Sequence, residues 1–184
     1  MASLMPFDEI NALKERLQDA KQADTEALRR DKDKYIDEVT DLLLMAYFFG
    51  NDDVSEQLGQ SIQLDEEEAR KVIDQPIADK TYKERLSEYL EEGNLGDIDR
   101  VIETEAHRVY NQSAYTAATK AGATQKTWQT MQDAKVRDPH DYLQGVTIPI
   151  DAEFYTYNGD HAYYPGQFGV AEEDCNCRCW VTYR

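Results

Sequence analysis

The sequence predicts an α+β protein in which a helical N-terminal part and a long central helix precede a small, irregular β-rich C-terminal unit. Apolar residues recur at helical spacing, with breaks, from Phe7 to Ala118. Beyond Gly122 the composition changes: both tryptophans, Trp128 and Trp180, and half of the tyrosines lie there, in short β-prone runs interrupted by Pro and Gly. With 41% hydrophobic residues, 184 positions suffice for one ordinary domain or one domain carrying a helical extension.

The first apolar stripe runs through Phe7, Ile10, Leu13 and Leu17, and the second through Tyr35, Ile36, Val39, Leu42, Leu43 and Tyr47. Between them, residues 18–34 are strongly charged, which reads as either a solvated connecting helix or a break. Gly50 is expected to end the second stripe, with Asn51-Asp52-Asp53 as a turn. Leu64-Asp65-Glu66-Glu67-Glu68 resembles a capping box in which Asp65 accepts the first-turn amides and Glu68 reaches back. Tyr82, Leu86, Tyr89 and Leu90 mark a short helix ending before Gly93. Asp97 is a cap for the long helix carrying Ile98, Val101, Ile102, Ala106, Val109, Tyr110 and Ala114, which Gly122 stops.

After Gly122 the expected pieces are a strand over 126–130, a short helix begun by Asp138-Pro139, a strand at 146–148 and a terminal strand over 177–182. Asn158-Gly159 is a turn signal joining 154–157 to 162–164 as a hairpin.

Acidic side chains outnumber basic ones 37 to 20, giving a formal charge of −17, so the surface as a whole repels nucleic acid and anionic lipid. Any contact with DNA must be local. Residues 1–122 hold 28 acids and 15 bases, and residues 123–184 hold 9 and 5, so the negative field belongs mainly to the N-terminal part. The longest apolar run, Leu42 to Phe49, is too short to span a bilayer and lacks signal-peptide architecture; a soluble protein made in the cytosol is expected. That run is expected to bury itself among the helices, the alternative being a docking surface.

All three cysteines fall within Cys175-Asn176-Cys177-Arg178-Cys179. An odd, crowded set argues against a disulfide framework and for reduced thiols. They read either as small apolar residues of a packed strand or, with His140, as metal ligands: His140, Cys177 and Cys179 offer an imidazole and two thiolates, the donor types zinc prefers. The obstacle is spacing. Zinc holds neighbouring sulfurs roughly 3.5 to 4 Å apart, whereas alternate side chains of an extended strand stand about 6 to 7 Å apart, so the segment would have to bend. Asp133, His161 and Cys175 are further donors that could complete such a site.

The segment from Asp133 to His140 reads first as a hydrogen-bonded turn, with Asp138 as cap, Pro139 at the first helical position and Arg137 paired with Asp133 or another carboxylate. His107 reads as a partly exposed surface residue. An enzyme could be assembled from Asp133, Arg137, His140 and a thiolate. Against it, the chain has no nucleophile elbow, phosphate-binding glycine loop or His-Glu-x-x-His helix, and no basic substrate groove. A non-enzymatic protein without catalytic or cofactor-binding residues is the expectation.

In order along the chain stand Thr104-Glu105 with Arg108 and Asn111, Gly122, Lys126-Thr127-Trp128, Asp133, Arg137-Asp138, His140, Gly145, Phe154, Pro165-Gly166 and Asn176-Cys177-Arg178-Cys179. This series over about residues 100–179 resembles the phage Mu F-like family, the minor head or head-morphogenesis proteins of tailed bacteriophages. Pro139, where a small polar residue is common, and the extra thiol Cys175 depart from the pattern. The resemblance implies an acidic helical extension over 1–95 and a head-morphogenesis domain over 96–184. It further implies a low-copy virion protein of the portal vertex or capsid interior, acting in head assembly or DNA delivery. Portal protein and the major capsid or scaffold protein are the implied partners, with host cytoplasm as its location before assembly and no membrane. Glu105 and Asn111 are implied to anchor the β-rich unit through buried polar contacts. The competing function is a small phage-encoded enzyme or effector delivered with the genome.

Overall fold

Helical periodicity decides the first half of the chain. The computed structural model describes residues 7–23, 25–63, 65–77 and 79–184. It opens with α1 (Phe7–Ala23), α2 (Thr25–Arg30) and α3 (Lys32–Leu58). Leu64 and the side chain of Phe7, both used in the sequence reading, lie outside the described residues. The charged interval is helical on both sides of residue 24: Leu28 is fully buried, Arg29 Nε donates to Glu91 O at 2.7 Å, and Lys32 Nζ meets Glu91 Oε1 at 2.6 Å.

α3 does not end at Gly50. It continues to Leu58 and is capped by Gly59 in the left-handed region, at φ 62°. The glycine serves packing instead. A Cβ at position 50 would lie 2.3 Å from the carbonyl oxygen of Tyr110, so the backbones of two helices touch there. The Asn51-Asp52-Asp53 segment is correspondingly helical, with Asn51 and Asp53 buried and Tyr110 Oη donating to Asp53. The apolar run from Leu42 to Phe49 packs inward, Leu42, Leu43, Ala46 and Tyr47 being buried.

α4 (Glu66–Ile73) is capped by Asp65, whose carboxylate accepts from the amides of Glu67 and Glu68. Glu68 does not reach back; its carboxylate binds Lys120 Nζ and accepts from Tyr47 Oη at 3.3 Å, contacts that tie α4 to the rest of the helices. The reciprocal box stands at α5 (Tyr82–Glu92), where Thr81 and Glu84 satisfy each other's amides. α6 (Leu95–Lys120) is capped by Asn94 rather than Asp97, which sits in its first turn beside the positive end of the helix dipole.

The C-terminal unit contains β1 (Gln125–Gln129), α7 (Asp138–Asp141), β2 (Thr147–Pro149), β3 (Phe154–Tyr155), β4 (His161–Ala162), α8 (Ala171–Asp174) and β5 (Trp180–Tyr183). β1 is central in an antiparallel sheet ordered β2-β1-β5, with Lys126 opposite Ile148 and Trp128 opposite Val181. β3 and β4 form the hairpin around Asn158-Gly159, Tyr155 facing His161. The fold is thus α+β, as the periodicity predicts. The terminal strand begins at Trp180 and not at Cys177, because the cysteine segment bends away before it.

Two buried clusters result. One gathers α1 to α5 with the first half of α6, from Ile98 to Tyr110; the other surrounds Trp128 and takes in Ala114, Ala117 and Ala118 of α6 and Val54 of α3. Both long helices therefore run from one core into the other. Among the described residues, no helix is long and apolar enough to cross a membrane.

Gly50→Ala should destabilise the protein by about 3 kcal/mol in urea unfolding, because a methyl group there meets main chain that cannot give way. Gly96→Ala, with only Asn94 Oδ1 within 4 Å of the added Cβ, should stabilise by about 0.5 to 1 kcal/mol through helix propensity alone.

Candidate functional site

α6 carries an unusual density of buried polar side chains: Glu105, His107, Arg108, Asn111 and Ser113 are all 6% exposed or less. Each has an assigned partner. Glu105 accepts from Arg85 and from Arg108 Nε at 2.9 Å, and Arg108 Nη2 donates to the carbonyl of Val72 at 3.0 Å. Ser113 Oγ donates to Tyr47 O at 2.6 Å. On the opposite side, His107 Nε2 and Asn111 Nδ2 both donate to the carbonyl of Cys179, the latter at 3.3 Å.

Asn111 therefore anchors the C-terminal unit, as the family pattern implies, whereas Glu105 ties α6 to α5 and orients Arg108. His107 is buried and not a partly exposed surface residue. Because a carbonyl only accepts, its Nε2 carries the proton, and among the described residues Nδ1 has no hydrogen-bond partner. The signal for this burial was available: residues 107, 111, 114 and 118 share a helical face, and two of them are alanines.

Pro165-Gly166 has a related purpose. Gly166 has φ 87° and lies so close to α6 that a Cβ would stand 3.1 Å from Arg108 Cα. The loop can lie against the helix only with no side chain at that position.

The cysteine segment follows α8. Asn176 takes the left-handed conformation at φ 54°, which turns the chain before Cys177. Cys177 and Cys179 are buried, and Arg178 between them points outward to a two-pronged ion pair with Asp133 at 2.8 and 2.5 Å. That pairing draws the Asp133 carboxyl down to about 2. Arg137 does not bind Asp133; its guanidinium donates to the carbonyls of Glu173 and Cys175. Arg137 is the N-cap position of α7, and Asp138 is its first residue rather than its cap.

His140 projects from α7 into the space beside the thiols. Its Nδ1 lies 3.5 Å from Cys177 Sγ and 3.5 Å from Cys179 Sγ, and the three donor atoms lie within 4.8 Å of one another. Its Nε2 is 2.9 Å from Glu173 Oε2, an ion-pair distance without hydrogen-bond geometry, and among the described residues neither atom has a hydrogen-bond partner. The imidazole stacks on Phe168 and meets the edge of Trp128, with ring centres 5.4 and 5.6 Å away. The hydrogen bond that the Cys177 thiol donates to Cys179, then burial, pushes Cys177 up to about 11; accepting the same bond lowers Cys179.

Of the additional donors, Asp133 is engaged by Arg178, His161 pairs with Glu153 at 3.1 Å, and Cys175 is half-buried outside the cluster. Glu173 escaped the sequence reading, since α8 is a single turn with no periodicity to say which acid faces inward. A void of about 10 Å³ is bounded by His140, Cys177 and Cys179 together with Lys135, Arg137 and Asn176. The void adjoins a cleft of about 380 Å³ that His107, Arg137, Asn176 and Cys177 also border, and two thiols with one imidazole are donors that can hold a cation such as zinc.

Lys126, a member of the ordered series, is fully buried, which its place in the sequence did not indicate. Among the described residues its ammonium has no hydrogen-bond partner, and it lies 4.8, 4.9 and 5.4 Å from the ring centres of Tyr115, Tyr163 and Phe154. Burial draws its ammonium down to about 8, against the pull of Asp151 and Glu153.

A model of the family described as phage Mu protein F like protein matches residues 77–182. The chain is 30% identical over 143 residues to the NAD(+)--arginine ADP-ribosyltransferase EFV of Enterococcus faecalis (strain ATCC 700802 / V583), covering 59% of this chain and 29% of that protein. It is 35% identical over 83 residues to the minor head protein GP7 of Bacillus phage SPP1, covering 44% of this chain and 27% of that one. The chain thus spans less than a third of either relative's length. No solved structure matches it.

Asn111→Leu, which removes two donated hydrogen bonds and leaves the Cys179 and His107 carbonyls less satisfied, should cost about 1 to 3 kcal/mol in denaturant unfolding. Lys126→Met tests the buried ammonium. Since the folded pKa lies below the unfolded one, the folded state binds fewer protons between about pH 8 and 10.5, and stability from this group rises across that window. The stability difference between variant and parent should therefore be constant below pH 8 and move in the parent's favour as pH approaches 10.5.

Proposed function

Because the chain belongs to the phage Mu protein F-like family, we propose that it is a structural, non-enzymatic minor head protein of a tailed bacteriophage. In this reading it acts at the portal vertex or the capsid interior, in head assembly or DNA delivery, and resides in host cytoplasm before assembly. The family match over residues 77–182 carries the reading, and similarity to a protein named as a minor head protein supports it. A sequence unit over 96–184 preceded by an acidic helical extension over 1–95 belongs to the same proposal, although the helices of both share a core.

The geometry favours a structural role. The side chains an enzyme would need are occupied in holding the fold: Asp133 by Arg178, Arg137 by two carbonyls, His140 beside Glu173 and two thiols. The proposed partners are portal protein and the major capsid or scaffold protein, for which the strongly acidic N-terminal helices offer a complementary face to a basic surface. Lys135, Arg137 and Arg178 line one cleft of about 380 Å³, the place where a local contact with packaged DNA would be made.

The similarity to a protein named as an ADP-ribosyltransferase supports a second reading, an effector or enzyme delivered with the genome. An ADP-ribosyltransferase and a minor head protein both share sequence with this chain, which favours a common structural module over a common chemistry. Mass spectrometry of purified proheads and mature heads should detect the protein in at least one of them. Absence from both overturns the head-protein reading, and arginine-directed ADP-ribosyl transfer from NAD by the purified chain would establish the second.

A further inference from the structure

We propose that His140 Nδ1, Cys177 Sγ and Cys179 Sγ bind one zinc ion, which clasps α7 to the C-terminal segment ahead of β5. The geometry removes the obstacle that spacing raises. Asn176 in the left-handed region and the late start of β5 at Trp180 bend the segment, so that Cys177 and Cys179 share the buried side while Arg178 faces outward. A tetrahedral zinc with nitrogen at about 2.0 to 2.1 Å and sulfur at about 2.3 Å sets nitrogen and sulfur about 3.6 Å apart and two sulfurs about 3.8 Å apart. Both nitrogen–sulfur separations are 3.5 Å, and the two sulfurs lie within 4.8 Å.

Three further observations fit an ion at this place. The void of about 10 Å³ that all three ligands border has the size of a single water or ion. Glu173, 3% exposed, stands 2.9 Å from the far ring nitrogen of His140. A carboxylate at that distance favours the proton on Nε2 electrostatically and so leaves the Nδ1 lone pair for the thiol side, and a small ring rotation would complete the outer-shell hydrogen bond that orients metal-bound histidines. Charge also balances better: a dication among two thiolates and one carboxylate leaves one negative charge, adjacent to the Arg137 guanidinium. On binding, both thiols release their protons to solvent. A water entering from the Lys135 and Asn176 side takes the fourth position.

Such an ion stabilises only the folded chain, since His140 and the cysteines are far apart in sequence and meet nowhere else. Cys175 has no part in it, being half-buried and outside the cluster.

The test uses the full chain purified without chelator, with metal content measured by plasma mass spectrometry and zinc chloride titrated into the chelator-treated protein. One zinc per chain is expected, with full occupancy retained in Cys175→Ser and lost in His140→Gln and in the Cys177→Ser/Cys179→Ser double variant. Glu173→Gln should keep the ion with affinity lowered about 10- to 100-fold. Cobalt substituted for zinc should give thiolate-to-metal charge-transfer absorption in the parent. Folded parent protein that holds far less than one zinc and takes up none on titration overturns the proposal, even if the variants fail to fold. Zinc retained by the folded double variant, or an intact mass showing a Cys177–Cys179 disulfide in protein kept under reducing conditions, overturns it as well.

Discussion

The carbonyl of Cys179 is the point on which the two halves of the molecule depend. Two side chains of α6, His107 and Asn111, donate to it from inside the protein, where an unmade hydrogen bond costs about 1 to 3 kcal/mol. Because this oxygen is committed to the helix, it does not join the sheet, and β5 starts one residue later. The bend that follows places Cys177 and Cys179 on the side of His140. One polar seam thus determines where the sheet ends, how the C-terminal unit sits on α6 and which side chains meet at the candidate site.

That seam is possible because α6 is approached at very short range from two directions. Gly50 brings the α3 main chain against Tyr110, and Gly166 lays its loop on Arg108. Close backbone packing excludes water, so the polar groups of α6 must find partners within the protein. Arg85, Arg108 and Glu105 do so as a nearly dry ion network that also holds Val72 O. A buried network of this kind adds little net stability over an apolar core, yet it tolerates only one arrangement of its members. The consequence is a defined angle between helices and β-rich unit rather than a sliding contact.

Residues that look reactive in a list, an acid, an arginine, a histidine and thiols, are each engaged in holding neighbouring segments together. The acidic side chains lie mainly on the N-terminal helices, 28 of the 37 falling within residues 1–122. The C-terminal unit instead carries exposed aromatic side chains, Tyr142, Tyr155 and Tyr157.

Much of this was legible in the residues themselves. Helical periodicity located the long helix, the compositional change at Gly122 located the β-rich unit, and Asn158-Gly159 announced its hairpin, because each is a local property of chain geometry and propensity. The ordered series from Thr104 to Cys179 was enough to indicate the family. What local rules could not supply was the use made of each residue. Gly50 reads as a stop in one dimension and is a helix crossing in three; His107 reads as surface until a second element is packed over its face. Glu173 and Lys126 look like ordinary charges, and Cys177 and Cys179 look too far apart on an extended strand. Sequence by itself determined the main helices, the β-rich unit and the presence of thiols and an imidazole; only the tertiary structure decided where α3 ends, that α8 forms and which side chains meet, because burial and distance come from packing between segments far apart in the chain.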